Sequence, residues 1–474
     1  MTLPAKFVER VLRDLGGTEG AALCAALDAE PPVSVRLNPA KTGAETVSAG
    51  PDAGLPVPEA AGLPALAIAG RVPWSRDGRY LAVRPSFTLD PDFHAGAYYV
   101  QEASSQFVGH LLAAVRTEGA RILDLCAAPG GKTTLYASLA GPDGLVVANE
   151  IDRRRASVLA DNVRKWGTGN VAVTTCEPRA LGDFEAWFDV VAVDAPCSGE
   201  GMFRKDPDAR GEWSEGNVKQ CAARQDEILR EAWRALRPGG TLVYSTCTFN
   251  RDEDEGALER MAAWAGDEIA ESEETAVEDA WGIVCGRVGA FRTFRFYPHR
   301  TCGEGFFAAV ARKSFDAGGR VRAPKARRTV FAAVDRKTAG ELARWVRNPG
   351  GMRFAAVADT CYAWYAAQAD AVRTLSEALP VIYSGVALGQ VFKGVLKPDP
   401  ALAFFDGLNR GALPAAELDD EETLRFLRRQ DIAAGGLAEG MNLVCSRGRA
   451  LGFAKRIGAR VNNLYPSSLR IIKQ

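Results

Sequence analysis

The chain has 474 residues, of which 47% are apolar and 25% charged, with 58 Lys and Arg against 59 Asp and Glu. That profile is ordinary for a globular protein of about two to four domains. The net charge of −1 excludes a nucleic-acid or membrane reading based on the field of the whole molecule, so any nucleic-acid surface has to be local. Ten cysteines contain no CxxC pair and no histidine cluster accompanies them, which argues against structural zinc and a disulfide framework. Reduced thiols point to a cytoplasmic setting. The N-terminus, MTLPAKFVERVL, lacks a signal-peptide core, and no run approaches the about 18 apolar residues of a membrane span.

Residues 4–29 read as helices, because Phe7, Val8, Val11 and Leu12 recur at helical spacing and Leu23 and Leu27 continue it. Val33-Ser-Val-Arg-Leu-Asn-Pro39 reads as a strand with Arg36 exposed. Pro and Gly crowd residues 50–74, which read as loop. With Tyr80-Leu-Ala-Val-Arg84 and PDFHAGAYYVQEASSQ (91–106), residues 1–104 are expected to form a small α/β appendage.

From 105 to 315 the period is βα. Strands are expected at 121–125, 145–149, 171–174, 188–194 and 241–245, with helices between them at Arg153 to Trp166 and Asn217 to Leu236. Each gap has room for a crossover helix, so the sheet is expected to be doubly wound and mostly parallel, an α/β Rossmann-like core. Phe291 to Phe296 and Phe306 to Ala311 flank a Pro/Gly turn and read as an antiparallel hairpin at the sheet edge.

Charge then segregates. Residues 252–279 hold twelve acids and one base, Arg260, and read as a solvated helix face and loop. Residues 312–353 hold twelve Lys or Arg against three acids. They read either as a solvated linker with a basic helix or as a phosphate-contacting arm, and Trp345 as a base-stacking ring or a core anchor. Residues 316–379 are assigned to this basic linker and helical region. Residues 380–474 are expected to form a separate small domain, with β-like runs VIYSGVALGQVF and MNLVCS and a helix from Glu421 to Arg429. Its last thirty residues carry seven Lys or Arg and no acid, and two basic segments on a near-neutral chain are a nucleic-acid signal.

Three motifs carry chemistry. RILDLCAAPGGK (121–132) is an apolar run, a glycine turn and a helix start, which suits a nucleotide-sized ligand held by backbone N–H groups. It is neither a P-loop, since Cys126 stands where that motif needs glycine, nor GxGxxG. Glu150 closes the second strand, where an acid commonly binds the two ribose hydroxyls; a helix-start acid is the alternative. Glu177 follows the third strand and reads as an adenine contact or a turn residue. The fourth strand runs into Asp194-Ala-Pro-Cys197-Ser-Gly199 and the fifth into Tyr244-Ser-Thr-Cys247-Thr. Strand C-termini line the ligand crevice of a doubly wound sheet, so both thiols are expected at one rim beside the glycine turn. Two thiols and a carboxylate beside a nucleoside cofactor suit attack on C6 of a pyrimidine, whose C5 becomes nucleophilic only after a thiolate adds.

LDLCAAPGGKTT, VDAPCSGEGMFRKDP and YSTCTFNRDEDEG resemble the S-adenosylmethionine, Pro-Cys and Thr-Cys motifs of the RNA cytosine-5 methyltransferases (NOL/NOP2/Sun). PVSVRLNP, VPWSRDGRYL and HAGAYYVQEASSQ resemble that family's N-terminal segment. LDDEETLRFLR and LGFAKRIGARVNNLYP resemble, more narrowly, the tail of the bacterial RsmF-type 16S rRNA enzymes, which includes a PUA-like domain. The resemblance implies that Cys247 is the nucleophile, Cys197 the release cysteine and Asp194 the acid at cytosine N3. It implies that Cys126, Ala127, Ala128, Pro129, Gly130, Gly131, Lys132, Glu150 and Glu177 contact S-adenosylmethionine, with Asp194 bordering that site and no metal. It also implies that the N-terminal appendage and the C-terminal domain bind RNA, with 16S rRNA or the small ribosomal subunit as partner, no membrane, and a monomeric chain. The family often has Asp at the position of Glu177. DEDEG replaces a stretch usually closer to ENE, a departure expected to touch a helix start and leave the thiols alone. The DNA cytosine-5 enzymes also use a Pro-Cys thiol, there as nucleophile and without a Thr-Cys partner. A tRNA methyltransferase and a ribosome-assembly protein with secondary methyl transfer are the alternatives.

Overall fold

The computed structural model describes residues 2–43 and 63–472, and in it the βα period of the middle of the chain builds a ten-stranded sheet. Seven of its strands are numbered here: β1 (Arg121–Asp124), β2 (Leu145–Asn149), β3 (Val171–Thr174), β4 (Phe188–Asp194), β5 (Leu236–Thr246), β6 (Phe291–Phe296) and β7 (Phe306–Lys313). They lie in the order β6-β7-β5-β4-β1-β2-β3. β3, β2, β1, β4 and β5 pair in parallel, and β7 and β6 add antiparallel. Val284–Val288 lies outside β6, so the expected hairpin is not the last edge. β2 and β3 are nearly unbroken apolar runs because both faces are covered, and Leu145, Val146, Val147 and Ala148 are all buried. The direction of winding reverses between β1 and β4, which opens a crevice at their C-terminal ends. The crossover helices are punctuated by their own chemistry. Asp152 accepts from the Arg154 and Arg155 amides to start Arg153–Trp166, and Gly167, at φ 88°, ends it.

The N-terminal helices Ala5–Leu15 and Gly17–Ala26 pack beside the segment after the Pro-Cys motif, with the Phe7 and Phe203 rings 5.0 Å apart. A four-stranded sheet follows, in the order 68–71, 78–81, 33–37, 98–100. The loop read at 50–74 lies outside the described residues as far as 62, and beyond that it contributes the strand Ile68–Arg71. Arg36 is not exposed as expected but 3% accessible. Its strand is covered on both faces, and the guanidinium donates to Gln101 Oε1 (2.8 Å), Gly131 O (3.0 Å) and Thr134 Oγ1 (2.6 Å) while stacking 4.4 Å from the Trp166 ring. One side chain therefore ties the appendage to the glycine turn.

Within the basic stretch, 314–331 carries no helix or strand and Arg336–Ala343 is a helix, but the region assigned with it is not wholly linker and helix. Met352–Val357 and Thr360–Tyr365 form a hairpin in a five-stranded antiparallel sheet with 332–333, 386–392 and 395–398. The boundary drawn at 379/380 falls inside this unit. VIYSGVALGQVF is divided at Gly385 (φ 60°): Val381–Ser384 extends the core sheet beside β3, and Val386–Phe392 joins the five-stranded sheet. Trp345 is a core anchor, buried and donating to Glu341 Oε1. The last sheet, 415–417, 440–446, 449–457 and 460–463, carries MNLVCS as Gly440–Ser446 beside the helix Asp420–Leu427. Among the described residues, no helix is long and apolar enough to cross a membrane, and no group of three or more His, Cys, Asp or Glu is placed to hold a metal ion.

Candidate active site

β4 and β5 run parallel with Asp194 level with Ser245, so the turns that follow leave the sheet side by side. Cys197 Sγ consequently lies 3.2 Å from Cys247 Sγ, a hydrogen-bonded pair of free thiols. The two turns are sewn together behind the sulfurs. Gly201 N donates to Cys247 O (2.8 Å), and the Ser198 and Thr248 hydroxyls bond at 3.1 Å. The buried Glu200 carboxylate accepts from Thr248 Oγ1 (2.7 Å), Phe249 N (2.9 Å) and Trp213 Nε1 (2.9 Å). A Cβ at position 201 would stand 2.6 Å from Gly305 O and 2.8 Å from Cys247 O, so only glycine permits this approach.

Part of the acidic stretch belongs to this scaffold, which corrects its reading as a solvated face. Glu253 and Asp254 are fully buried. Glu253 accepts from Ser198 N (2.9 Å), Gln225 Nε2 (2.9 Å) and Asn250 Nδ2 (2.7 Å), so DEDEG reaches the residue next to Cys197 and does not leave the thiols alone. Asp254 accepts from Thr246 Oγ1 and pairs with Arg295 at 3.0 Å. Burial raises the pKa of both carboxyls.

The Cys197 thiol is held well above its ordinary pKa, first by its hydrogen bond to Cys247, then by burial, and then by the facing Cys247 and Glu253. Beside the thiols Asp194 accepts from Ser245 Oγ (2.8 Å) and pairs with Lys132 Nζ at 2.8 Å. Burial alone would weaken the Lys132 ammonium, but Asp194 and Asp124 outweigh it and its pKa is raised. Lys132 thus stays a fixed cation at the rim, 5.3 Å from the Phe306 ring.

The glycine turn is fixed carbonyl by carbonyl. Ala128 O accepts from Arg155, Pro129 O from Tyr99 and Asn162, and Gly131 O from Arg36. Gly130 sits at φ 110° with Leu159 Cδ1 2.9 Å from where a Cβ would be. Ala127 and Ala128 are buried, and the Ala127 amide is already committed to Asn149 O. Cys126 is no candidate nucleophile, since burial and the Asp124 charge push its thiol far up. Glu150 ends β2 with its carboxylate on Asp152 N (3.0 Å) and Arg155 (3.2 Å), and Asn149 bonds across to Leu125 O and Cys176 O. Glu177 is exposed before a five-residue helix and makes no side-chain cap. The sequence reading missed Asp124, Ser245, Glu200 and Glu253; their signal is an acid or hydroxyl inside an otherwise apolar or turn-forming motif. Burial pushes the Asp124 carboxyl up to about 7, against a 2.6 Å bond from Thr133, and its Oδ1 is buried with no partner.

Comparison with known proteins fits this arrangement. Residues 111–312 match the model of 16S rRNA methyltransferase RsmB/F, residues 3–103 the N-terminal domain of 16S rRNA methyltransferase RsmF, and residues 414–471 the methyltransferase RsmF PUA domain. The ribosomal RNA small subunit methyltransferase F of Shewanella loihica is 32% identical over 418 residues, covering 84% of this chain and 83% of that protein. The Escherichia coli O127:H6 protein of the same name is 33% identical, with 84% of each covered. The chain belongs to the RsmF family of 16S rRNA methyltransferases. Its cofactor is S-adenosylmethionine. A methyltransferase homologue from Pyrococcus horikoshii shares the fold at TM-score 0.51 and 27% identity, covering 65% of this chain and 94% of that one. NSun6 from Pyrococcus horikoshii, solved with SFG, does so at TM-score 0.50 and 23% identity over 65% and 98%. The crevice has a glycine-turn side and a thiol side, with Lys132 and Asp194 between them. The glycine-turn side fits a nucleoside sulfonium: a glycine turn before a helix, an acid after β2, and an orphaned buried carboxylate oxygen on Asp124.

Proposed function

We propose that the protein forms 5-methylcytidine in 16S rRNA, near the decoding region, with Cys247 as nucleophile and Cys197 as the release cysteine. The observation that carries this reading is the 3.2 Å pair of thiols beside the Lys132–Asp194 pair. Cys247 Sγ adds to C6 of the cytosine as its proton passes to N3, the atom that the Asp194 carboxyl, steadied by Ser245 and Lys132, faces. The bound cofactor supplies the methyl cation equivalent that the activated C5 accepts. The C5 proton then leaves with the help of Cys197, the C6–S bond breaks with its electron pair going to the Cys247 sulfur, and the proton at N3 returns to that sulfur. Holding the two turns through Gly201, Glu200 and Glu253 keeps both sulfurs on one face of the base, which is the positioning a two-thiol sequence needs. A base in structured RNA is flipped into the crevice, and the N-terminal appendage and PUA domain hold the RNA. The chain acts as a cytoplasmic monomer in this scheme.

The test is to incubate the protein with S-adenosylmethionine and 16S rRNA from cells lacking it, and to map the product by bisulfite sequencing and mass spectrometry. New 5-methylcytidine in 16S rRNA is expected. Methyl groups at another atom, or in tRNA alone, would overturn the proposal.

A further inference from the structure

Two basic segments, 312–353 and 445–474, take no part in the thiol site, yet the fold brings an arginine from each to one place. A cavity of about 400 Å³ lies where residue 41, the five-stranded unit and the C-terminal sheet meet. Four cations line it, Lys41, Arg347, Arg410 and Arg449, against one acid, Asp406. The cations are anchored and not trailing in solvent. Lys41 Nζ donates to Ala95 O (2.7 Å) and Lys165 O (2.6 Å), and Arg449 to Asp92 (2.8 Å) and Lys41 O (3.3 Å). Arg410 Nη1 donates to Gly448 O at 2.9 Å, and Arg347 to Asp406 O. Arg347 and Arg410 are exposed at the mouth, whereas Lys41 and Arg449 lie deeper.

Beyond Asp406 and the Asp92 carboxylate that meets Arg449, the like charges of this partly enclosed space favour a further anion. The strain is visible on Lys41. Burial pulls its ammonium down to about 7, with Lys165, Arg410 and Arg449 adding to that pull and Asp406 opposing it. Guanidinium forks match the oxygens of a phosphate, and the cavity is large enough for one.

We propose that this cavity is a phosphate-binding site, filled in the working enzyme by a backbone phosphate of the substrate RNA. This rests on the RNA-methyltransferase reading and adds to it a fixed point at which RNA is held across three units of the chain. Inorganic phosphate has the same chemistry, so the test separates the two sources. Affinity of the full chain is measured over a range of salt for a 16S rRNA fragment and for an unrelated single strand of equal length. The parent is compared with Arg347→Gln/Arg410→Gln and Arg347→Lys/Arg410→Lys, each first shown by calorimetry to bind S-adenosylmethionine.

The glutamine pair is expected to weaken both RNAs about tenfold at about 0.1 M salt, and to lower the slope of log affinity against log salt by about 1 to 2. The lysine pair is expected to recover most of the loss, because a point charge still meets a phosphate. Unchanged affinity and slope in the glutamine pair would overturn the proposal. Loss of inorganic-phosphate binding, read by calorimetry, with RNA affinity intact would overturn the RNA assignment. A phosphate contact is blind to sequence, so failure of the 16S reading, seen as a parent with no preference between the two RNAs, is read out separately.

Discussion

Replacing Arg36 by methionine tests how the appendage reaches the chemistry. The guanidinium makes three hydrogen bonds, and one of them, to Gly131 O, holds the first residue of the helix that follows the glycine turn. Bonds from a charged donor are worth about 1.5–3 kcal/mol each, so their gross loss is roughly 4–9 kcal/mol. Against this, methionine removes the cost of burying a guanidinium, which is several kcal/mol, and burial here already pulls the Arg36 pKa down to about 10. The acceptors left behind are neutral and buried, so the loss exceeds the gain, by about 2–4 kcal/mol. Part of that falls on the turn. Calorimetry is expected to show S-adenosylmethionine affinity reduced about tenfold, equivalent to about 1.4 kcal/mol. Amide exchange across 130–136 should quicken, with exchange in 440–457 unchanged. Arg36→Lys should fall between, since one ammonium cannot meet three separated acceptors. Parental cofactor affinity and exchange in Arg36→Met would refute the coupling.

Gly201→Ala forces a Cβ to within 2.6 Å of Gly305 O and 2.8 Å of Cys247 O; methyl transfer should fall at least about tenfold while cofactor affinity, set on the other side of the crevice, holds, and equal loss of both would contradict the division. Asp124→Asn probes pH. Burial raises the Asp124 carboxyl to about 7, so its contribution is fully present in acid and is lost as pH rises through 7. Relative to the parent without cofactor, the asparagine variant should therefore gain stability between about pH 4 and pH 7 and level off above, as read by denaturant titration; a pH-independent difference would exclude this assignment.

The parallel core was legible because strands covered on both faces are mostly apolar, and the expected bounds 145–149, 171–174 and 188–194 are those of the structure to the residue. The same rule hid Arg36, since alternation in Val33–Leu37 suggests one wet face, whereas the core domain covers Ser34 and Arg36 as well. The hairpin 352–365 was missed because its turn, Ala358-Asp359, carries no glycine although Ala358 sits at φ 48°, and its strands are only half buried. The thiols could be placed at one rim from the strand ends alone. That Glu253 would reach back from the next helix start to Ser198 could not, because nothing in a charge run distinguishes the two carboxylates that are buried from the ten that extend the acidic stretch.

The measurement that bears most directly on the roles of the two sulfurs is trapping of the covalent intermediate. Cys197→Ala, incubated with S-adenosylmethionine and 16S rRNA, should accumulate a protein–RNA adduct that survives denaturing electrophoresis. Cys247→Ala and the double variant should give neither adduct nor methylated product. An adduct that persists in Cys247→Ala and vanishes in Cys197→Ala would reverse the assignment and contradict the account.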